Sequence, residues 1–108
     1  MMNFIINFNF KRNFKFEILA GEDRTETSLK HLNCNFKFDF AKVYWNTRLS
    51  TEHERIVEKL TPGDILFDVF AGVGPFSVPA SRRGVKVFAN DLNPDSYFWL
   101  VENSRCNK

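Results

Sequence analysis

A glycine-rich turn followed by an acidic residue is the part of this chain whose residues could bind a ligand. The segment from Phe67 to Phe76 reads FDVFAGVGPF, and Asp91 follows seventeen residues after Gly74, in FANDLNP. An apolar strand, a Gly-x-Gly turn, a helix and an acidic residue ending the next strand occur in this order in doubly wound folds that bind adenosine-containing cofactors. The alternative interpretation is a plain turn between a strand and a helix.

Two residues near this turn favour a ligand without phosphates. Ser77 stands where a dinucleotide-binding turn carries its third glycine, and Pro75 removes one N–H that would face a pyrophosphate. Gly72 and Gly74 still allow the backbone to approach a ligand closely. S-adenosylmethionine is a cofactor that meets these conditions, and Asp91 would then accept hydrogen bonds from both of its ribose hydroxyls.

The composition is typical of a folded intracellular domain. Of 108 residues, 44% are hydrophobic and 26% are charged, which argues against a wholly disordered chain. The formal net charge of +2 neither requires nor excludes a nucleic-acid partner. Cys34 and Cys106 are far apart and match no metal-binding spacing, so we expect two reduced thiols and no metal. No apolar run approaches the ~20 residues of a membrane span.

Alternation of apolar and polar residues predicts a small antiparallel sheet in the N-terminal part of the chain. Nearly every second residue over 2–18 is apolar, and phenylalanine occupies every second position over 36–40. With a short strand near 25–29, these runs predict a β-rich subdomain over 1–41. Arg12 interrupts the apolar face of the first run; it is either paired at a cavity or an edge charge that prevents aggregation.

Other patterns after residue 41 predict the beginning of a doubly wound α/β fold over 42–108. The helices and strands alternate, and the strands are continuously apolar, as in parallel sheets. The predicted elements are a helix over 50–60 capped by Ser50, a strand over 65–70, a helix whose first turn contains Pro75, a strand over 85–89, and a helix over 94–107, capped by Asn93, with Tyr97, Leu100 and Val101 inward.

Three longer segments resemble one enzyme family. KVYWNTRLSTEHERIV, PGDILFDVFAGVGPFSVP and VFANDLNPDSYFWLVEN are similar to the tRNA (guanine-37, N1)-methyltransferases of eukaryotes and archaea, and the resemblance covers roughly residues 10–108. It implies the start of a class I S-adenosylmethionine-dependent methyltransferase fold, which is Rossmann-like, after a small antiparallel β-rich subdomain. It also implies methyl transfer from S-adenosylmethionine to N1 of the guanine 3′ of the anticodon. Because later strands of that fold are missing, we expect an incomplete fold that is inactive alone.

The resemblance assigns three residues to catalysis. Glu52, in the family's R-L-x-T-E stretch, would be the general base that takes the proton from guanine N1; the alternative is a first-turn glutamate stabilised by the helix dipole. Arg12, in the motif R-x-F-x-x-E, would contact guanine O6 and stabilise the negative charge that develops there. Tyr44 would help hold the target base, or else pack between the two subdomains.

The same resemblance assigns six residues to S-adenosylmethionine. His53 would line the methionine end of the cofactor, although a lone histidine on a helix is usually a surface residue. Asp91 and Leu92 would hold the ribose and adenine region. The residues that would line the cofactor from the loop are Phe70, Gly72 and Gly74.

The implied partner is tRNA, bound through its anticodon loop, with no membrane and a monomeric full-length protein. Arg48 would contact a tRNA phosphate or a neighbouring carboxylate. Family members work in the cytoplasm, the nucleus and the mitochondrial matrix, so we expect an intracellular location. Two other functions stay open: the aminocarboxypropyl transferase of wybutosine synthesis, against which Pro75 and Glu52 argue, and a non-catalytic RNA-binding remnant.

Overall fold

The computed structural model of this protein describes residues 2–5, 17 and 19–108, and the prediction for Arg12 lies outside them. These ranges contain two sheets, three α-helices and one turn of 3-10 helix. The elements are β1 (Met2–Ile5), β2 (Glu26–His31), β3 (Cys34–Asp39), the 3-10 turn (Thr47–Leu49), α1 (Ser50–Glu58), β4 (Ile65–Asp68), α2 (Ser77–Arg82), β5 (Lys86–Ala89) and α3 (Pro94–Cys106).

The first sheet is parallel, and β4 is its central strand. Its order is β1–β4–β5. On one face, Leu66 of β4 is fully buried and packs with Leu60, Ala80 and Val85. This packing holds α2 against the sheet. The carboxyl ends of β4 and β5 therefore lie side by side, and the segments that follow each strand meet at the same edge.

The second sheet is an antiparallel hairpin of β2 and β3. Its two-residue turn consists of Leu32 and Asn33, whose φ angles of 50° and 59° are both in the left-handed region, as a tight hairpin turn requires. Cys34, Phe36 and Phe38 alternate inward with exposed residues, which confirms the predicted half-buried strand.

The hairpin packs on the glycine turn and on two helices of the α/β part, in a second hydrophobic core. Phe36 and Phe38 of β3 pack with Val73 of the glycine turn, Val78 of α2 and Trp99 of α3. Burying large aromatic side chains is worth about 2–3 kcal/mol each. This core thus joins the hairpin to elements after residue 41, and the subdomain boundary near residue 41 stays a prediction.

Two asparagine side chains, one in α3 and one at its C-terminal end, bind the backbone of β3. Oδ1 of Asn103 accepts a hydrogen bond from the Lys37 N–H at 2.8 Å, and Nδ2 of Asn103 donates to the Val73 carbonyl at 3.1 Å. Asn107 binds both backbone groups of Asn35, at 2.8 Å and 2.7 Å. These backbone groups lie on the side of β3 that faces away from β2, so the side chains replace a strand partner that the described residues do not supply.

Residues 2–5 are not part of the antiparallel sheet that the alternation predicted. β1 pairs with β4 in parallel, from Met2 opposite Ile65 to Ile5 opposite Asp68. The prediction was wrong because alternation reports that one face of a strand is buried and carries no information about the partner strand. Phe40 likewise lies beyond β3 and is 40% exposed, so the inward run ends at Phe38.

Helix ends and faces also differ from the predictions. α2 begins at Ser77, so Pro75 lies in the turn before the helix. Asn46 caps the 3-10 turn that precedes α1, and Ser50 is already helical. Tyr97 of α3 is 51% exposed, and Trp99, which was not predicted inward, is buried against the hairpin; Leu100 is buried as predicted. The Asn93 cap of α3 is confirmed.

Replacing Asn103 should destabilise the whole fold. We expect Asn103→Leu to lower the free energy of unfolding by about 3 kcal/mol, since the Val73 carbonyl and the Lys37 N–H would lose their partner. Urea denaturation measures this. Ser104→Ala, on the exposed side of the same helix, is the control and should change stability by about 0.5 kcal/mol or less. Equal stability of the two variants would contradict the role assigned to Asn103.

Candidate functional site

The carboxyl ends of β4 and β5 bring the glycine turn against Asp91. Oδ2 of Asp91 accepts a hydrogen bond from the Gly72 N–H at 2.8 Å, and Oδ1 accepts from the Asn93 N–H at 2.9 Å. The Ala71 N–H donates to the Asn90 carbonyl at 2.9 Å. Asp91 therefore fixes both loops. Each carboxylate oxygen has a second lone pair, so the residue can still accept hydrogen bonds from a ligand.

The two glycines of the turn serve different purposes. Both have a positive φ, 57° at Gly72 and 100° at Gly74. A Cβ on Gly74 would stand 2.8 Å from Cγ2 of Val78 and 3.0 Å from Cδ1 of Leu100, so packing excludes a side chain there. A Cβ on Gly72 would meet no atom of the described residues within 4 Å. Gly72 is thus the position where the backbone borders open space.

A cleft lies beside Gly72 and brings together three of the predicted site residues. Tyr44 and His53 line it together with Gly72, from the connector, α1 and the glycine turn respectively. The remaining lining residues are Trp45, Asn46, Leu49, Ala71 and Pro75. None of these described lining residues is a lysine or an arginine. The lining residues described here therefore offer a phosphate no cationic side chain.

Tyr44 is held by the capped 3-10 turn. Its hydroxyl oxygen accepts a hydrogen bond from Nδ2 of Asn46 at 3.3 Å, and Oδ1 of Asn46 accepts from the Arg48 N–H at 3.0 Å. Arg48 itself is exposed, and none of the described carboxylates forms an ion pair with it. One asparagine thus sets the position of the tyrosine ring at the cleft.

His53 is a buried residue, which contradicts the surface alternative. It is 4% exposed, its Nδ1 lies 3.1 Å from Nε2 of His31, and the ring of Phe76 packs edge-on against it at 4.7 Å between centroids. Burial lowers the pKa of His53 to about 4, with a further lowering from His31 and an opposing effect of Glu52. At neutral pH the cleft therefore has an uncharged imidazole in its wall.

Glu52 lies on the first turn of α1 but its carboxylate is bound by Arg55. Nε and Nη2 of Arg55 donate to its two oxygens at 2.8 Å and 2.6 Å. These hydrogen bonds are the main reason that the pKa of Glu52 is lowered. Its side chain is 47% exposed, and solvent screens an exposed ion pair of this kind, so it contributes little to stability. The carboxylate is thus outside the cleft wall and held only weakly.

Asp68 is a candidate that the sequence predictions missed. It ends β4 immediately before the turn, is fully buried, and accepts a hydrogen bond from the Ser77 hydroxyl at Oδ2, 2.6 Å away. Its Oδ1 has no partner among the described residues. Burial raises the pKa of Asp68 to about 6, opposed by the Ser77 hydrogen bond and increased by the charge of Asp91. The sequence signal that could have identified Asp68 is an acidic residue at the end of an apolar strand.

The remaining predicted residues lie around the two loops. Leu92 directly follows Asp91 and is 87% exposed, while Phe70 is half-buried in the turn after β4. Trp45, in the cleft wall, has a buried Nε1 without a partner among the described residues. Among the residues that the structure describes, no group of three or more His, Cys, Asp or Glu side chains could hold a metal ion. No helix described here is long and apolar enough to cross a membrane.

Comparison with known proteins gives consistent matches. A model of the TRM5/TYW2 methyltransferase domain matches residues 27–108. A tRNA (guanine(37)-N(1))-methyltransferase of Anopheles gambiae is 62% identical over 100 residues, and the enzyme of that name from Mus musculus is 59% identical over 100 residues. Each match covers 93% of this chain but 18% and 20% of the relative. The chain thus spans about a fifth of the length of these relatives.

Several solved structures have the same fold as this chain. Methanocaldococcus jannaschii Trm5 in complex with adenosine has a TM-score of 0.83 at 41% identity, covering 90% of this chain and 31% of that one. A complex of aTrm5 with tRNALeu has a TM-score of 0.77 at 42% identity, covering 82% and 26%. M. jannaschii TYW2 in complex with AdoMet has a TM-score of 0.75 at 34% identity, covering 84% and 42%.

These comparisons confirm the predicted Rossmann-like methyltransferase fold class and the resemblance of the three sequence segments. The family model covers more than half of the chain, and it includes the glycine turn, Asp91, His53 and Glu52. The chain belongs to the TRM5/TYW2 methyltransferase domain family.

Proposed function

We propose that this chain is the cofactor-binding part of a tRNA (guanine(37)-N1)-methyltransferase. It would use S-adenosylmethionine to methylate N1 of the guanine 3′ of the anticodon. The observation that carries the proposal is the open space at Gly72, in a cleft without basic side chains and next to the Asp91 carboxylate. Relatives that carry this enzyme name are 55–62% identical to the chain, which supports the proposal.

The charges around the turn fit this cofactor. When bound, S-adenosylmethionine supplies a methyl group on a positively charged sulfur. The cleft wall offers a neutral imidazole from His53 and two aromatic rings from Tyr44 and Trp45, which suit a cation better than they suit a phosphate. Two carboxylates, Asp68 and Asp91, lie directly before the turn and against it.

Individual residues would contact separate parts of the cofactor. Asp91 has lone pairs free for the ribose hydroxyls, and Leu92 and Phe70 would pack on the adenine region. The unpartnered Oδ1 of Asp68 would accept a hydrogen bond from the ammonium group of the methionine end. Trp45 Nε1, which also lacks a partner among the described residues, would donate to the carboxylate of that end. Gly74 would act indirectly, by letting the turn pack on Val78 and Leu100.

Glu52 would act as the base once its ion pair with Arg55 opens. It is adjacent to His53, whose ring lines the cleft, and the pair with Arg55 is exposed, so an arriving nucleotide can displace the guanidinium at little cost. Glu52 would then take the N1 proton of guanine, and Tyr44 would pack against the base. The role of Arg12 at guanine O6, a monomeric full-length protein and a location in the cytoplasm, nucleus or mitochondrial matrix stay predictions.

Adding a methyl group at Gly72 should weaken cofactor binding more than stability. Gly72→Ala places a Cβ in the open space, so we expect at least tenfold weaker binding of S-adenosylmethionine. A left-handed alanine costs about 1 kcal/mol of stability. Isothermal titration calorimetry measures the affinity. Gly63→Ala is the control, because that Cβ also meets nothing within 4 Å but lies outside the cleft. Equal affinity of both variants would overturn the proposed location.

Asp68 should make stability fall as pH rises. Its folded pKa of about 6 lies above the ordinary value of 3.8, so folding favours the protonated form. That contribution is fully present below pH 4 and is lost as pH rises through 6, a change of about 3 kcal/mol. Asp68→Asn cannot ionise, so it should gain stability relative to the unmodified protein between pH 4.5 and 7.5 in urea denaturation.

The control for this change in net charge is Asp23→Asn, at an exposed position. If the stability of Asp68→Asn and that of Asp23→Asn depend on pH in the same way, the raised pKa assigned to the buried Asp68 carboxylate is wrong. The Asp68→Asn variant should also bind S-adenosylmethionine less tightly in spite of its higher stability at pH 7.5, because a neutral amide attracts an ammonium group less than a carboxylate does.

Removing the proposed base should slow the chemical step alone. In the full-length protein that carries this chain, we expect Glu52→Gln to reduce the single-turnover rate of tRNA methylation by about 10²-fold or more. The affinity for S-adenosylmethionine should not change, since Glu52 is outside the cleft wall. Glu58→Gln, exposed on the same helix, is the control. An unchanged rate in the Glu52 variant would exclude it as the base.

The mass of the modified tRNA tests the transferred group. A single added methyl group is expected. The larger aminocarboxypropyl group would assign the chain to the other branch of the family, and no modification by the full-length protein would favour the non-catalytic RNA-binding alternative.

A further inference from the structure

His31 is a histidine that neither the sequence predictions nor the proposed function includes. It is the last residue of β2, on the half-buried face that also carries Thr27 and Leu29. The turn after it is held at both ends: His31 pairs with Cys34 across the hairpin, and Nη1 of Arg82 donates to the Asn33 carbonyl at 2.6 Å. The position of the His31 ring is therefore set by strand and helix contacts, not by a free loop.

The His31 ring reaches the wall of the cleft through His53. Nε2 of His31 lies 3.1 Å from Nδ1 of His53, and the two rings meet edge to face with centroids 5.1 Å apart. The ring of Trp45 packs edge-on against His31 at 5.7 Å, and Phe76 closes the other side of His53. These aromatic contacts hold both imidazoles in place, so the contact between the two nitrogens is fixed.

Two facing imidazole nitrogens at this distance share a single proton, because two N–H groups would repel each other. One ring therefore donates and the other accepts. Since Nδ1 of His53 is engaged by His31, only Nε2 of His53 is left to meet a ligand in the cleft. If His31 donates, then His53 has its proton on Nε2 and offers an N–H donor. If His31 accepts, Nε2 of His53 is an acceptor.

The indole N–H of Trp45, in the same cleft wall and without a partner among the described residues, favours His31 as the donor, because an anionic group bound there would also be met by an Nε2–H of His53. Burial lowers the pKa of His31, with an opposing effect of Glu54, so both rings of the pair are held in the neutral form. His53 is the more deeply buried ring, with Glu52 as the carboxylate acting on it. The Trp45 indole, in the same cleft wall, can only donate. Two donors side by side suit an anionic group.

We propose that His31 is a positioning residue: its Nε2–H donates to Nδ1 of His53 and thereby presents the Nε2–H of His53 to the carboxylate at the methionine end of the cofactor. The proposal rests on S-adenosylmethionine binding in this cleft. The proposal extends the site to the hairpin, because His31 of β2 would determine which ring nitrogen of His53, on α1, carries the proton.

Nitrogen NMR of the histidine rings in the ligand-free protein tests the hydrogen bond itself. Between pH 6 and 8, His53 should be protonated at Nε2 alone. His31→Phe keeps an aromatic ring in the cluster but removes the donor, so His53 should become a mixture of both neutral forms. His53 in a fixed Nε2–H form after this change would overturn the proposal.

Calorimetry with S-adenosylmethionine tests the consequence for binding. We expect His31→Phe to weaken binding about five- to tenfold, the value of one hydrogen bond, and His31→Gln to restore most of it, since its amide can donate from a similar position. Lys30→Gln, on the exposed face of β2, is the control and should bind normally. Equal losses in His31→Phe and His31→Gln, or none in His31→Phe, would exclude the donor role.

The two experiments also separate this proposal from the proposed function. If the unmodified protein does not bind S-adenosylmethionine, the proposed function is wrong, and with it the part of the proposal that concerns the cofactor carboxylate. The NMR measurement still decides whether His31 fixes the proton on Nε2 of His53. Circular dichroism of each variant shows whether the hairpin has folded.

Discussion

The buried amide of Asn103 is the interaction on which the rest of the structure depends. It binds the backbone of β3 through the Lys37 N–H and the backbone of the glycine turn through the Val73 carbonyl. Val73 lies between Gly72 and Gly74, so the conformation of the turn is tied to the position of the hairpin. The aromatic core of Phe36, Phe38 and Trp99 forms around this link. A polar side chain therefore sets the geometry, and apolar packing then supplies most of the free energy.

Two carboxylates lie at the glycine turn, and neutral rings line the cleft beside it. Asp91 holds the turn by accepting two backbone hydrogen bonds, and Asp68 lies buried at the start of the turn with one oxygen unpartnered among the described residues. Burial also keeps His53 uncharged. A site of this kind binds a cation or a polar neutral group more readily than a phosphate. Glu52, by contrast, is exposed and paired with Arg55 outside the cleft wall.

The local motifs were predictable from the sequence, whereas their tertiary partners were not. The Gly-x-Gly turn, the Asn93 cap and the alternating strand at Phe36 and Phe38 occur as predicted, because turn chemistry, capping and alternation are properties of neighbouring residues. His53 was treated as a possible surface residue because nothing adjacent to it shows that a hairpin covers that side of α1. His31 was missed for the same reason, since the strand was expected to end at residue 29.

By itself, the sequence determined the order of the elements, the residues that build the turn, and a resemblance specific enough to indicate the family. Those features depend on short-range sterics and on matched residue types, which a linear sequence contains. Only the tertiary structure decided that β1 runs parallel to β4, that Asn103 and Asn107 complete the edge of β3, and that Asp68 is buried with a raised pKa. Pairing, burial and charge environment are long-range quantities, because each depends on which distant segment supplies the neighbouring atoms.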